Sequence, residues 1–256
     1  MPSIIVISIK ITNFASKLDT MEIPKFEHCI YPSTFLRTIE WAFTYPQNKE
    51  FEDWKTCAIS SWKKHNQDSK IQVKSESLDI QTPNYKFTFW ADRCILRFNP
   101  DYFTSFELAI KHINDFRDYF LSLCGNKIKS SRIHKVNLIP GGREDDKSTN
   151  IGFLGCIFSN RLIRKEDNYS EFEQGLVANI TQSTFLKDGF EITLNYGFSC
   201  NKKDDSQLMG ILEISTIDHK ACAFSNFIKN AERMNEIIFD IFHWCIADEI
   251  LSIMQK

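Results

Sequence analysis

A chain of 256 residues that is 43% apolar is long enough to bury a sizeable core, as one large domain or two fused halves. Its formal net charge of −2 and isoelectric point near 6.3 argue against a whole-protein nucleic-acid footprint. The eight cysteines are scattered and never form a CxxC pair, which excludes a compact disulfide scaffold and a zinc ribbon. They read as reduced, mostly buried thiols of a cytoplasmic protein. Phe is unusually abundant and Val scarce, which codon bias explains without a special role for phenylalanine.

The first predicted element is a strand. Ile5, Ile7, Ile9 and Ile11 alternate with Val6, Ser8, Lys10 and Thr12, and the stretch lacks the basic start and cleavage site of a signal peptide. No run approaches the eighteen or so apolar residues that span a bilayer. Residues 34–44 predict a second strand, with a short helix as the alternative. Residues 49–65 predict a helix with Trp54, Ala58 and Trp62 on one stripe. Segments 70–81, 84–91 and 93–99 are β-rich, with Pro83-Asn84 as a turn. In the second of these, Tyr85, Phe87 and Phe89 take one face while Lys86, Thr88 and Trp90 take the other, so Trp90 is a candidate contact residue. Asn99-Pro100-Asp101 signals a helix start, predicting a helix over 101–124 that stops at Gly125-Asn126.

The second half follows the same plan. Strands are predicted at 132–139, 151–159, 172–183, 189–199 and 208–217, with Lys187-Asp188-Gly189 as a hairpin turn and a terminal helix over 219–255. Strands joined by short turns with few intervening helices imply an α+β protein with antiparallel sheets. Two β-rich halves, 1–126 and 127–256, are each expected to be closed by a long amphipathic helix and to form one integrated domain.

Four stretches carry a resemblance to a known family: FLRTIEWAFTYP (35–46), CILRFNPDYFTSFELAIKHINDF (94–116), RIHKVNLIP (132–140) and the terminal GILEIS…EIIFDIFHWCIADEILSIM. In order and spacing over residues 33–256 they resemble a sporadically distributed, uncharacterised bacterial family of about this length. The chain departs from that pattern twice. Lys135-Val136-Asn137 stands where an Arg-Tyr-Asn sequence is usual, and a His is usual near Asn235. The resemblance implies the α+β fold and a setting associated with mobile elements or defence. It transfers no catalytic residue.

Several constellations present themselves, and most dissolve on inspection. His219-xx-Cys222 and His243-x-Cys245 suggest zinc, but on one continuous helix Cys222 and His243 would stand about 30 Å apart. Glu232, Glu236, Asp240 and His243 share a helix face, yet that face lies opposite the stripe of Ala231, Met234, Ile238, Ile241 and Cys245, which points it to water. No metal and no cofactor is expected. Arg117 and Glu249 each interrupt an apolar stripe and form a candidate buried polar pair, each neutralising the other. The phosphate-loop, dinucleotide, zincin and nucleophile-elbow motifs are absent.

One charge cluster supports a functional hypothesis. Lys127, Lys129, Arg132, His134, Lys135 and Arg143 run without an intervening acid, so Lys127, Lys129, Arg132, Lys135 and Arg143 are candidates for anion or nucleic-acid binding. The bland reading is a strand with apolar positions at Ile133, Val136 and Leu138. The leading expectation is a non-enzymatic cytosolic binding or regulatory protein with a protein partner. The rivals are a nucleic-acid-associated accessory protein using 127–143, and an enzyme or small-ligand sensor with a pocket between the halves.

Overall fold

The computed structural model describes residues 23–27, 29, 35–65, 69–140, 154–155, 157–159, 161–162, 178–201 and 204–254. The expected strand at 5–12, the loop beyond Pro140 with Arg143, and much of 151–177 lie outside the described residues. Eleven strands and five α-helices follow in chain order: β1 (Leu36–Thr44), α1 (Phe51–His65), β2 (Lys70–Val73), β3 (Leu78–Gln81), β4 (Tyr85–Phe89), β5 (Arg93–Phe98), α2 (Phe106–Asp115), α3 (Arg117–Cys124), β6 (Lys127–Ile128), β7 (Ser130–Pro140), β8 (Ala178–Lys187), β9 (Phe190–Asn201), β10 (Asp204–Asp218), β11 (Cys222–Ala223), α4 (Phe224–Cys245) and α5 (Asp248–Met254). Nine strands make one antiparallel sheet in the order β2-β3-β4-β5-β1-β7-β10-β9-β8, while β6 and β11 form a separate ribbon. The fold is α+β, as expected. The two halves do not own separate sheets, because β1 pairs with β5 on one side and β7 on the other.

Pleat alternation sorts the sheet into two faces. Ile39, Trp41 and Phe43 of β1 lie across from Phe98, Leu96 and Cys94 of β5, and these from Tyr85, Phe87 and Phe89 of β4. All nine are buried under the helices. Trp62 of α1 stacks on Phe116 at 3.9 Å, Phe120 of α3 meets Phe43 and Phe87, and Phe227 of α4 stacks on Trp41 at 4.8 Å. The stripe of Trp54, Ala58 and Trp62 is buried, as its spacing predicts. Trp90 keeps the alternation, its main-chain N–H donating to the Arg93 carbonyl across the turn. It lies in the turn beyond β4, half-buried, with the Arg93 guanidinium 4.7 Å from its ring.

The long helices come in shorter pieces than periodicity predicts. Asn99 caps as expected, its side chain accepting from the Asp101 N–H, but the turn it opens is a single 3-10 turn (Pro100–Tyr102). The chain then extends before α2, and α2 parts from α3 at Phe116, whose φ of −110° and ψ of 17° leave the helical range. Gly125 ends α3 in the left-handed region at φ 59°, a conformation in which a Cβ would be strained. The terminal helix begins at Phe224, not at residue 219, because Cys222 and Ala223 pair with β6 and the Asn126 side chain accepts the Phe224 N–H. It stops at Cys245 because the backbone there pairs sideways. Ser159 donates to the Cys245 carbonyl, and Ala247 to that of Ile157.

Gly210 makes room for that sideways contact, since a Cβ there would lie 2.6 Å from the Ile157 side chain. The β8–β9 hairpin turns on Asp188 and Gly189, both at positive φ, in a two-residue loop of the kind whose twist matches the strands.

The solvated face expected for Glu232, Glu236, Asp240 and His243 is solvated only in part. Asp240 is 3% exposed and accepts the Phe26 N–H at 3.0 Å, and the Phe26 ring stacks on His243 at 4.5 Å. Residues 23–27 thus cover the C-terminal half of α4 on its outer side. Glu232 stays exposed, and Glu236 pairs with Arg233.

Candidate functional site

Alternation along β7 governs where the basic residues go. Ser131, Ile133, Lys135, Asn137 and Ile139 share the helix-covered face, so Arg132, His134, Val136 and Leu138 point the other way. The sequence expectation put Ile133 together with Val136 and Leu138, and the structure corrects this: Ile133 and Ile139 are core residues, while Val136 and Leu138 line the opposite face. Arg132 and Lys135, three residues apart, therefore occupy opposite faces and cannot form one patch.

The remaining basic candidates scatter as well. Arg132 pairs with Glu40, which also takes Arg97. Lys127 is exposed on the small ribbon, Lys129 is exposed in the bend between β6 and β7, and Arg143 lies outside the described residues. The Glu40 carboxyl is 6% exposed; burial opposes its charge, but the hydrogen bonds and charges of Arg97 and Arg132 outweigh burial and hold it below the usual carboxylate range.

Arg117 and Glu249 do not form a buried pair. Both are exposed. The breaks at Phe116 and at Ile246-Ala247 rotate each residue off the stripe that a continuous helix would have given it. Cys94, Cys124 and Cys245 are buried free thiols whose ionisation burial suppresses. Among the described residues, no group of three His, Cys, Asp or Glu side chains could hold a metal ion, and no helix is long and apolar enough to cross a membrane.

The site that does take shape centres on Lys135. A pocket of about 860 Å³ opens between β7, the stretch of α4 from Glu232 to Phe242 and the chain from Pro100 to Ile110. Its volume is that of a small-molecule site. Phe103, Phe106, Ile238, Phe239 and Phe242 form apolar walls, while Lys135, Asn137 and Asn235 bring polar atoms inward. The Lys135 ammonium donates to the Asn235 side-chain oxygen at 2.6 Å and lies 5.6 Å from the Phe103 ring centroid and 6.0 Å from that of Phe106. Its stem runs along apolar surface while its head reaches the pocket. Burial disfavours its charge and lowers the amine to about 8. Its one hydrogen-bond partner among the described residues is a neutral amide, so two of three N–H donors remain for a guest. Four carboxylates, Asp101, Glu107, Glu232 and Glu236, also line it, as does Cys29.

Lys135 was legible as a basic residue, but its partners were not. Asn235 lies 100 residues away, and Phe103 and Phe106 reach the pocket only because the chain leaves helical geometry between Tyr102 and Ser105. A charged residue at an odd position between Ile133 and Ile139 was the signal available. The chain matches no protein-family model and no curated protein.

Proposed function

We propose that this is a non-enzymatic cytosolic binding protein whose pocket takes a small amphipathic ligand: an acceptor group, carboxylate or carbonyl, at Lys135 and Asn235, and an apolar body between the phenylalanines. The observation that supports it is the Lys135 amine, set on the apolar floor of a ligand-sized pocket against a neutral amide partner. An ammonium drawn partly out of water with an amide for its hydrogen-bond partner is costly, and it gains when an anionic or dipolar guest supplies further acceptors. The pocket offers no paired nucleophile and base among the described residues, which favours binding over turnover. The two places where the chain departs from the bacterial family it resembles, around Lys135 and Asn235, meet across this pocket, so variation there would tune ligand choice.

Fluorescence titration with 8-anilinonaphthalene-1-sulfonate, an aromatic anion of suitable size, tests the reading. One saturable site is expected, weakened roughly tenfold or more in Lys135→Met, since a charge-assisted hydrogen bond contributes about 1.5–3 kcal/mol. Lys127→Ala should bind as the parent does. Because only the protonated amine attracts the anion, affinity should fall as the pH rises through about 8. Equal affinity of the parent and a folded Lys135→Met variant would refute the reading.

A further inference from the structure

The two edges of the sheet are built differently. At one end, β2 has only four residues and is followed by Lys74, which pairs with Asp79 of β3, so that edge is short and charged. At the other end, β8 has ten residues, Ala-Asn-Ile-Thr-Gln-Ser-Thr-Phe-Leu-Lys, with one charge at its last position. It contains no proline or glycine, and it pairs with β9 from Ala178↔Ser199 to Lys187↔Phe190 without a register shift. None of the usual devices that blunt an edge is present: no short length, no bulge, no central lysine, no proline. Among the described residues nothing pairs with its outer side.

The side chains also favour a particular occupant. Ile180 and Leu186 are 53% and 64% exposed, and both belong to the face away from the helices. Their positions are symmetric about Ser183, three residues to either side. If two β8 strands meet antiparallel with Ser183 opposite Ser183, Ile180 of each copy faces Leu186 of the other. Gln182 then faces Thr184, and Lys187 faces Asn179. Thr181 faces Phe185 on the helix-side face, and no like charges oppose anywhere along the pairing.

We propose that β8 is a homodimerisation edge, pairing antiparallel with β8 of a second copy about a two-fold axis at Ser183 and joining the two sheets into one. Each strand supplies its free main-chain donors and acceptors, about one hydrogen bond per paired residue. The two Ile180–Leu186 pairs add apolar cover on the open face. The contact is isologous, so it closes at two copies and, among the described residues, leaves no further long edge exposed.

Sedimentation velocity and light scattering of the full chain across 1–100 µM (roughly the range in which modest interfaces assemble) test the edge, and two variants test the register. In Gln182→Lys/Thr184→Lys, lysine opposes lysine twice at the axis; this variant should be monomeric and folded, with a melting temperature that no longer depends on protein concentration. In Gln182→Lys/Thr184→Glu, each lysine faces a glutamate across the axis, so the dimer should return. A wild-type monomer throughout the range, including one whose β8 amides are protected from exchange by another segment of the same chain, would overturn the proposal. So would a lysine pair that leaves the dimer intact, and so would a Lys/Glu variant that stays monomeric while folded.

Discussion

Replacing Asp240 by alanine separates the two descriptions of the α4 outer face. On the helical wheel it is a solvated acid whose loss costs nothing. In the structure it is 3% exposed and holds the Phe26 N–H at 3.0 Å, next to the Phe26–His243 stack. Truncation removes a charge-assisted hydrogen bond of about 1.5–3 kcal/mol and strands a half-buried amide. Relief of the carboxylate's own desolvation offsets a part of that, so a net loss of about 2 kcal/mol is expected. For a chain of this size that corresponds to a fall in Tm of roughly 4–8 °C. Asp240→Asn keeps an acceptor and should lose about half as much. Glu236→Ala, which breaks a pair with the half-exposed Arg233, should stay within about 1 kcal/mol of the parent. Urea denaturation followed by tryptophan fluorescence measures all three. A midpoint for Asp240→Ala that matches the parent within about half a kcal/mol would show that residues 23–27 do not anchor to α4 as described.

Gly197→Ala should cost at least about 3 kcal/mol, because its Cβ would lie 1.9 Å from the Asn179 carbonyl oxygen and force β8 away from β9; amide exchange should rise selectively over 178–187. Glu40→Gln should destabilise by roughly 1–2 kcal/mol at pH 7. The Glu40 pKa is lowered in the folded state, so its contribution is fully present above the ordinary glutamate value of about 4.3 and is lost as pH falls through the lower folded value; the gap to the parent should close below that point in urea melts. In native buffer a thiol reagent should label Cys29 and Cys57 promptly and spare Cys94, Cys124 and Cys245 until denaturant is added, as read by peptide mass spectrometry.

Local chemistry determined a good part of this protein. The Trp54-Ala58-Trp62 stripe, the Asp188-Gly189 turn, the Gly125 stop and the alternation of β4 and β5 follow from neighbours a few residues apart, because propensity, capping and pleat act at that range. The grouping of Arg132 and Lys135 as one basic cluster failed on that same alternation, which puts them on opposite faces of β7. Only the tertiary structure decided which face the helices cover, and so which of the two enters a pocket. It decided, too, where the long helices break: at Ile246, where the backbone of 157–159 pairs with 245–247, and at residues 222–223, where β6 supplies a strand partner. Those partners lie between 86 and 96 residues away along the chain. Hydrogen bonds and buried rings at such separations override helix periodicity, which records only which residues want to be buried and not what they will be buried against.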